Sequence, residues 1–262
     1  MKQISLMTSN LCCWGKGEIS VGKRQPRVKE IYKKYLPDLI GTQETTLIWK
    51  NYLTEALPEY GVVGEARDDF EGNGEHCVIL YKKERFELLK TETFALSESG
   101  EFASLGWGEE YPRICTYAIL KDKESLEEIA FFNTHLALKD EARANMLNLI
   151  FDKVREIGLP ALLTGDYNTR ENTESYNLCL KLFDDAKFVA ANTDTGYTWH
   201  GYDDEKFINN EKYLRYGDSP IDYCMCSKDM FDVESYEIIR TKSSDGQPIS
   251  DHYPVMAKLT LK

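Results

Sequence analysis

Five apolar segments of this chain each end in residues able to hold a metal ion or move a proton. Asn10 follows Ile4-Ser5-Leu6-Met7, Glu44 follows Leu39-Ile40, and His135 follows Phe131-Phe132. Asp166 and Asn168 close Ala161-Leu162-Leu163, and Asp251-His252 stands before Tyr253-Pro254. A sixth polar insertion, Asp222, lies between Ile221 and Tyr223. Amide and carboxylate oxygens suit a hard cation, Mg2+ or Mn2+, which keeps several waters and needs few protein ligands. A histidine beside them, oriented by another carboxylate, could activate a water for attack on phosphorus. Singly, most of these residues have a plain structural role: Glu44 at a helix N-terminus, Asn10 in a turn, Asp166 and Asn168 in an Asx turn. Asp222 does not, because a lone acid in an apolar strand is costly without a partner.

Such a site needs elements that bring distant residues to one rim. Alternation over 3–10 predicts a strand, and Val28, Ile31, Tyr32, Tyr35 and Leu36 predict a helix over 24–36, closed by Pro37-Asp38. A short apolar run, 39–44, precedes a helix at 46–57 and a strand at 60–64. Strands follow at 77–81, 86–90, 114–121 and 129–134. Met146, Leu149, Ile150, Val154 and Ile157 mark the strongest helix, 140–157. A buried strand, 160–164, ends at Gly165-Asp166, with a helix at 174–184 and strands at 221–227, 233–240 and 254–261. Hairpin-like pairs with a few crossover helices imply an α/β (α+β) fold, two mixed sheets face to face with helices outside. In such sheets ligands bind at strand ends. No repeat, low-complexity tract or linker divides residues 1–262, which predicts one domain.

Gln43-Glu44, Asn133-Thr134-His135-Leu136, Thr164-Gly165-Asp166-Tyr167-Asn168-Thr169, Ile221-Asp222-Tyr223 and Ser250-Asp251-His252 occur in one register. In that order they resemble the endonuclease/exonuclease/phosphatase superfamily, from Asn10 to His252. The resemblance implies a deoxyribonuclease I-like, four-layer α/β/β/α sandwich and a Mg2+- or Mn2+-dependent phosphoesterase, with a phosphodiester as the expected bond. By the same resemblance Glu44 is the principal metal carboxylate, with Asn10 and Asp251 near the same cation. Asp166 and Asn168 position the attacking water and a phosphate oxygen. His252 is the catalytic histidine, Asp222 fixes its tautomer, and His135 contacts phosphate or assists the leaving group. Glu75 orients His135, and Arg113 contacts phosphate. The chain departs from many bacterial relatives in continuing the histidine motif as Ala137-Leu138 rather than Asp-His. Thr164 stands where the inositol phosphatase branch has tryptophan, which weighs against inositol polyphosphates. His200, in Thr198-Trp199-His200-Gly201, is a candidate pocket residue, and Trp107, Tyr111 and Trp199 are candidates for stacking on a base or sugar.

The net charge of −12 lowers the prospect of tight, sequence-blind duplex binding. Seven cysteines lack the C-x-x-C pairing of a zinc site and fit reduced core thiols. The N-terminus has no apolar run of signal-peptide type and no stretch is long enough to span a bilayer. The expectation is a soluble cytoplasmic protein acting on a phosphate ester, a nucleotide or nucleic acid among the candidates, without an obligate protein partner. A nuclease and a catalytically silent binding module are the competing functions. Substrate choice falls to the loops at 65–76, 97–112 and 196–219.

Overall fold

The computed structural model describes residues 2–69, 72–202 and 217–262. Thirteen strands and five α-helices are described, in this chain order: β1 (Ile4–Asn10), α1 (Val21–Tyr35), β2 (Leu39–Thr45), α2 (Leu47–Ala56), β3 (Tyr60–Val63), β4 (His76–Lys82), β5 (Phe86–Ala95), β6 (Ile114–Asp122), β7 (Glu128–His135), α3 (Asp140–Ile157), β8 (Ala161–Asp166), α4 (Glu174–Cys179), β9 (Phe183–Asp185), α5 (Ala186–Val189), β10 (Asn192–Thr193), β11 (Asp222–Ser227), β12 (Phe231–Ile238) and β13 (Val255–Leu261). They form two mixed sheets, ordered β10-β12-β13-β1-β2-β4-β3 and β5-β6-β7-β8-β11-β9. Parallel pairs β1/β2 and β7/β8 lie at the centre of the two sheets, each made by a helical crossover.

Strand alternation sorts the apolar residues into three cores. Leu6, Leu39, Phe131, Leu162, Cys224 and Val255 point between the sheets. Residues of opposite parity, such as Phe132, Leu163 and Met225, face outward and meet Met146, Leu147 and Ile150 of α3. On the other sheet Met7, Ile40 and Val78 meet Val28 and Ile31 of α1 and Trp49 of α2. The result is the four-layer α/β/β/α sandwich. α3 presents its apolar stripe over 18 residues and stops at Gly158, whose φ of 68° lets its N–H cap the Val154 carbonyl.

Between the sheets the apolar core gives way to a polar layer near the rim. Gln43 Nε2 donates to Asn133 Oδ1 at 2.7 Å, and Asn133 Nδ2 donates to the carbonyls of Thr42 and Val78, both at 2.9 Å. Gly41 is needed here, because a Cβ at that position would fall 2.1 Å from Thr164 Oγ1 and 2.5 Å from Asn133 Oδ1.

Three predicted bounds differ by three residues or more. α1 begins at Val21, earlier than the apolar spacing shows, and β5 continues to Ala95. The helix expected over 174–184 ends at Cys179, because Phe183–Asp185 joins the sheet edge, Asp184 opposite Cys226. Leu180 and Leu182 still pack on the outer core, which is why the helical spacing runs on past the helix. Among the described residues no helix is long and apolar enough to cross a membrane. All seven cysteines are free thiols.

Candidate active site

The parity that places Leu6, Phe131, Leu162 and Cys224 between the sheets also points Asn10, His135, Asp166 and Asp222 into the same space, at its end. The parallel register of β7 and β8 sets His135 beside Asp166, and the antiparallel register of β8 and β11 sets Asp166 beside Asp222. Glu44 reaches this rim by other means. Simple alternation from Leu39 would turn it to the helical side, but the β2/β4 pairing slips between Thr42 and Thr45, and Glu44 has φ 53°. Cys12 (φ 53°) and Asn168 (φ 51°) are also left-handed at this rim. A non-glycine residue in that region costs on the order of 1–3 kcal/mol, and such strain collects at functional sites.

His252 and Asp222 form a buried pair, Nδ1 to Oδ2 at 2.8 Å. Thr198 Oγ1 donates to the same Asp222 oxygen at 2.5 Å. The far nitrogen of His252 lies 3.8 Å from Asp166 Oδ2, and His135 Nε2 lies 3.5 Å from that oxygen. Burial works against charge on His252, but Asp222, Asp251 and Asp166 outweigh it and hold its proton affinity well above the ordinary histidine value. Burial, then Asp222, pushes Asp166 up to about 7. His135 goes the other way: burial, then Arg113 and Arg67, keep it neutral. Two imidazoles on one carboxylate are thus held in opposite protonation states.

Asn10 Nδ2 donates to Glu44 Oε1 and to Asp166 Oδ2, both at 3.0 Å. The second Glu44 oxygen accepts from the Cys13 amide at 2.9 Å. Asp251 opens into the same cavity, its Oδ2 accepting from Trp199 Nε1 at 3.4 Å. Among the described residues neither Glu44 nor Asp251 has a cationic partner. Such a surplus of carboxylate oxygen fits a divalent hard cation. Asp166, Asp222 and His252 also bring three ligand atoms within 4.8 Å of one another. Asp222 is fully buried there and already committed to His252 and Thr198, so this trio is better suited to sharing protons.

Asn168 closes the Asx turn, its amide donating to Asp166 Oδ1 at 2.9 Å, while its side-chain Nδ2 donates to the Leu136 carbonyl at 3.0 Å. One Asp166 oxygen therefore shapes the loop and the other faces the site. Glu75 lies 3.8 Å from His135 Nδ1, beyond a hydrogen bond, because Arg67 grips both its oxygens at 3.0 Å. Arg113 lines the cavity with Nε and Nη1 buried and unpartnered. All ten residues to which the resemblance gives a role lie at this rim.

Tyr111 and Trp199 line the cavity, whereas Trp107 packs toward the outer core. His200 is buried, stacked on Tyr253 at 4.3 Å, and is not among the lining residues. Residues missed by sequence reasoning include Arg67, Cys13 and Trp14, all lining the cavity. Arg24 was missed as well. It is fully buried, donates to the carbonyls of Leu11, Cys12, Trp14, Ile19 and Ile249, and so ties the loop after Asn10 to the loop before Asp251. No acidic partner or motif marks such a cation in the sequence. Of the loops expected to set specificity, residues 70, 71 and 203–216 lie outside the described residues.

A model of the Endonuclease/Exonuclease/phosphatase family matches residues 19–252. The chain belongs to that family. A solved endonuclease/exonuclease/phosphatase from Bacteroides vulgatus is 28% identical, with a TM-score of 0.89 and 100% of both chains covered. A mannosyl-6-phosphatase from Bacteroides thetaiotaomicron is also 28% identical, TM-score 0.87, covering 98% of this chain and 100% of that one. D. rerio TDP2, solved with a single-strand DNA product, shares the fold at 16% identity and TM-score 0.77, with 99% and 100% covered. No curated protein sequence matches significantly. As a family member the chain is a hydrolase acting on phosphoester bonds, on the fold the sequence implied.

Proposed function

We propose that this family member is a metal-dependent phosphoesterase that hydrolyses a small phosphate ester by direct attack of water on phosphorus. The observation that carries it is the buried His252–Asp222 pair set against Asp166, beside Glu44 and Asp251, which have no cationic partner among the described residues. Glu44, Asp251 and Asn10, with Asp166 adjoining, would hold Mg2+ or Mn2+. When bound, that cation supplies positive charge to the non-bridging oxygens and lowers the proton affinity of the neighbouring groups.

The chain's own residues do the rest. Asp222 holds Nδ1–H of His252 and fixes the ring, so that Nε2 faces Asp166. Asp166, its Oδ2 3.8 Å from His252 Nε2, and His252 then share the proton that the attacking water gives up. This differs from the sequence expectation of His252 as base by itself, since three carboxylates favour its protonated form. Neutral His135 and the Arg67/Arg113 end of the cavity meet the phosphate oxygens.

The sequence reading expected a phosphodiester. A monoester is favoured by the relative that is a mannosyl-6-phosphatase and by the cavity of about 530 Å3, walled by Trp14, Tyr111 and Trp199. That volume suits a sugar- or nucleotide-sized ligand. The test is turnover of p-nitrophenyl phosphate and bis(p-nitrophenyl) phosphate with Mg2+, Mn2+ or EDTA. Metal-dependent turnover that is lost in His252→Ala is expected. Turnover untouched by EDTA and by His252→Ala would refute the site. Plasmid nicking with Mg2+ at rates above small-ester turnover would favour the nuclease reading, and metal binding without any turnover the silent module.

A further inference from the structure

We infer that Arg24, which does not line the cavity, is a positioning residue for the cation site, linked to Asn10 and Glu44 through two successive peptide groups. The inference rests on the proposed reading in which Asn10, Glu44 and Asp251 hold a divalent cation. Arg24 stands in the first turn of α1 and is fully buried. Among the described residues it has no ion pair, and its guanidinium lies 5.4 Å from the ring of Trp49 and 5.9 Å from that of Tyr202. Five hydrogen bonds, the full complement of a guanidinium, go to backbone carbonyls. Nε donates to Ile19 at 2.8 Å, and Nη2 to Cys12 at 2.7 Å and Trp14 at 2.9 Å. Nη1 donates to Leu11 and, at 3.4 Å, to Ile249.

Two of those carbonyls belong to peptide groups whose other end reaches the site. The peptide joining Leu11 to Cys12 gives its oxygen to Arg24 and its N–H to Asn10 Oδ1 at 2.9 Å. The next peptide, joining Cys12 to Cys13, gives its oxygen to Arg24 and its N–H to Glu44 Oε2 at 2.9 Å. A trans peptide is planar, with C=O and N–H pointing in opposite directions. A guanidinium that grips both oxygens therefore aims both N–H groups at the ligand side chains, and its charge polarises each chain of hydrogen bonds so that the far bond strengthens. Turning successive carbonyls onto one group bends the backbone, and Cys12 takes the bend at φ 53°. The bond from Cys12 also settles which end of the Asn10 amide is oxygen, leaving Nδ2 for Glu44 Oε1 and Asp166 Oδ2, both at 3.0 Å. Through Ile249 the same guanidinium holds the segment that leads to Asp251.

Charge alone would act the other way. A buried cation close to the carboxylates repels a bound metal ion, so an Arg24 that mattered only as a charge would weaken metal binding. Lysine distinguishes the two effects. It keeps the charge but carries three donors on a single nitrogen, and it cannot hold two peptide oxygens in the plane of a fork.

Mg2+ binding by calorimetry on wild type, Arg24→Lys and Arg24→Met, with kcat for p-nitrophenyl phosphate across a Mg2+ titration, separates orientation from charge and from plain loss of stability. Both variants are expected to bind Mg2+ about 10- to 100-fold more weakly, as when a group behind a metal ligand is lost. Their kcat should return to within about threefold of wild type once Mg2+ is saturating, since the bound state is the same. Unchanged affinity in Arg24→Lys, tighter binding in Arg24→Met, or a kcat that stays low at saturating Mg2+ overturns the inference while leaving the metal reading in place. A wild type that binds no Mg2+ overturns both. Amide hydrogen exchange on metal-free wild type covers the case in which neither variant folds. The Cys12 and Cys13 amides lie outside any strand or helix, yet they should be protected before Mg2+ is added. Free exchange that slows only with Mg2+ would mean that the cation, not Arg24, orders this loop, and overturns the inference.

Discussion

Asp222→Asn is expected to lower kcat by about 10^3- to 10^4-fold while moving Tm by no more than a few degrees. The side chain is fully buried, and one oxygen serves both His252 Nδ1 at 2.8 Å and Thr198 Oγ1 at 2.5 Å. Asparagine has the same shape and can still accept from Thr198, so the packing around β11 survives. What disappears is the negative charge that holds Nδ1–H and stabilises the imidazolium. The ring is then free to present the wrong tautomer to Asp166. Stability should respond weakly for a second reason. The other Asp222 oxygen is buried with no partner, so the native carboxylate is itself poorly solvated, and removing its charge offsets part of the loss. Steady-state kinetics with a melting curve on the same preparations separate the two effects. Equal kcat in variant and wild type would remove Asp222 from the mechanism.

Glu44→Gln is expected to raise the Mg2+ concentration for half-maximal activity by about 10- to 100-fold. Glutamine keeps the length and an oxygen acceptor for the Cys13 amide, which Glu44 now holds at 2.9 Å. The loop carrying Cys13 and Trp14 should stay in place, leaving the charge as the principal change. Glu44 adopts a left-handed backbone conformation that turns its side chain to the rim, an expense with no evident return in packing, since its main contacts are Asn10 and Cys13. A metal titration of activity, paired with direct Mg2+ binding by calorimetry, measures the effect. An unchanged titration would mean that the cation is held elsewhere, with Asp166, Asp222 and His252 as the next group to test.

Most of the framework was legible because it depends on short-range pattern. The alternating run at Ile4–Asn10, the apolar runs at Ile114–Asp122, Glu128–His135 and Asp222–Ser227, and the long apolar stripe of α3 mark the strands and helix faces. Parity in turn brings Asn10, His135, Asp166 and Asp222 to one rim. Glu44 was found as the carboxylate that ends the Leu39-Ile40 run, but not the means of its delivery; the slip in β2/β4 pairing that turns it to the rim involves no glycine or proline signal. The helix over 174–184 was overextended because Leu180 and Leu182 feed the same core after the chain has left the helix. Arg67 stayed hidden in an acidic loop, since its value comes from Glu75, Tyr111 and Arg113 meeting in space. Arg24 was equally silent, because its acceptors are all backbone carbonyls, and carbonyls carry no sequence signature. His200 shows the converse. A histidine in a suggestive motif is buried against Tyr253.

Water as the source of the oxygen that enters at phosphorus, with the P–O bond to the leaving group broken, is the step on which the roles of Asp166, His252 and Asp222 depend. A single turnover of p-nitrophenyl phosphate with Mg2+ in 18O-enriched water measures it, by mass spectrometry of the inorganic phosphate and the p-nitrophenol. One solvent oxygen is expected in each phosphate and none in the p-nitrophenol. Label in the p-nitrophenol, or unlabelled phosphate in the first turnover, would contradict it.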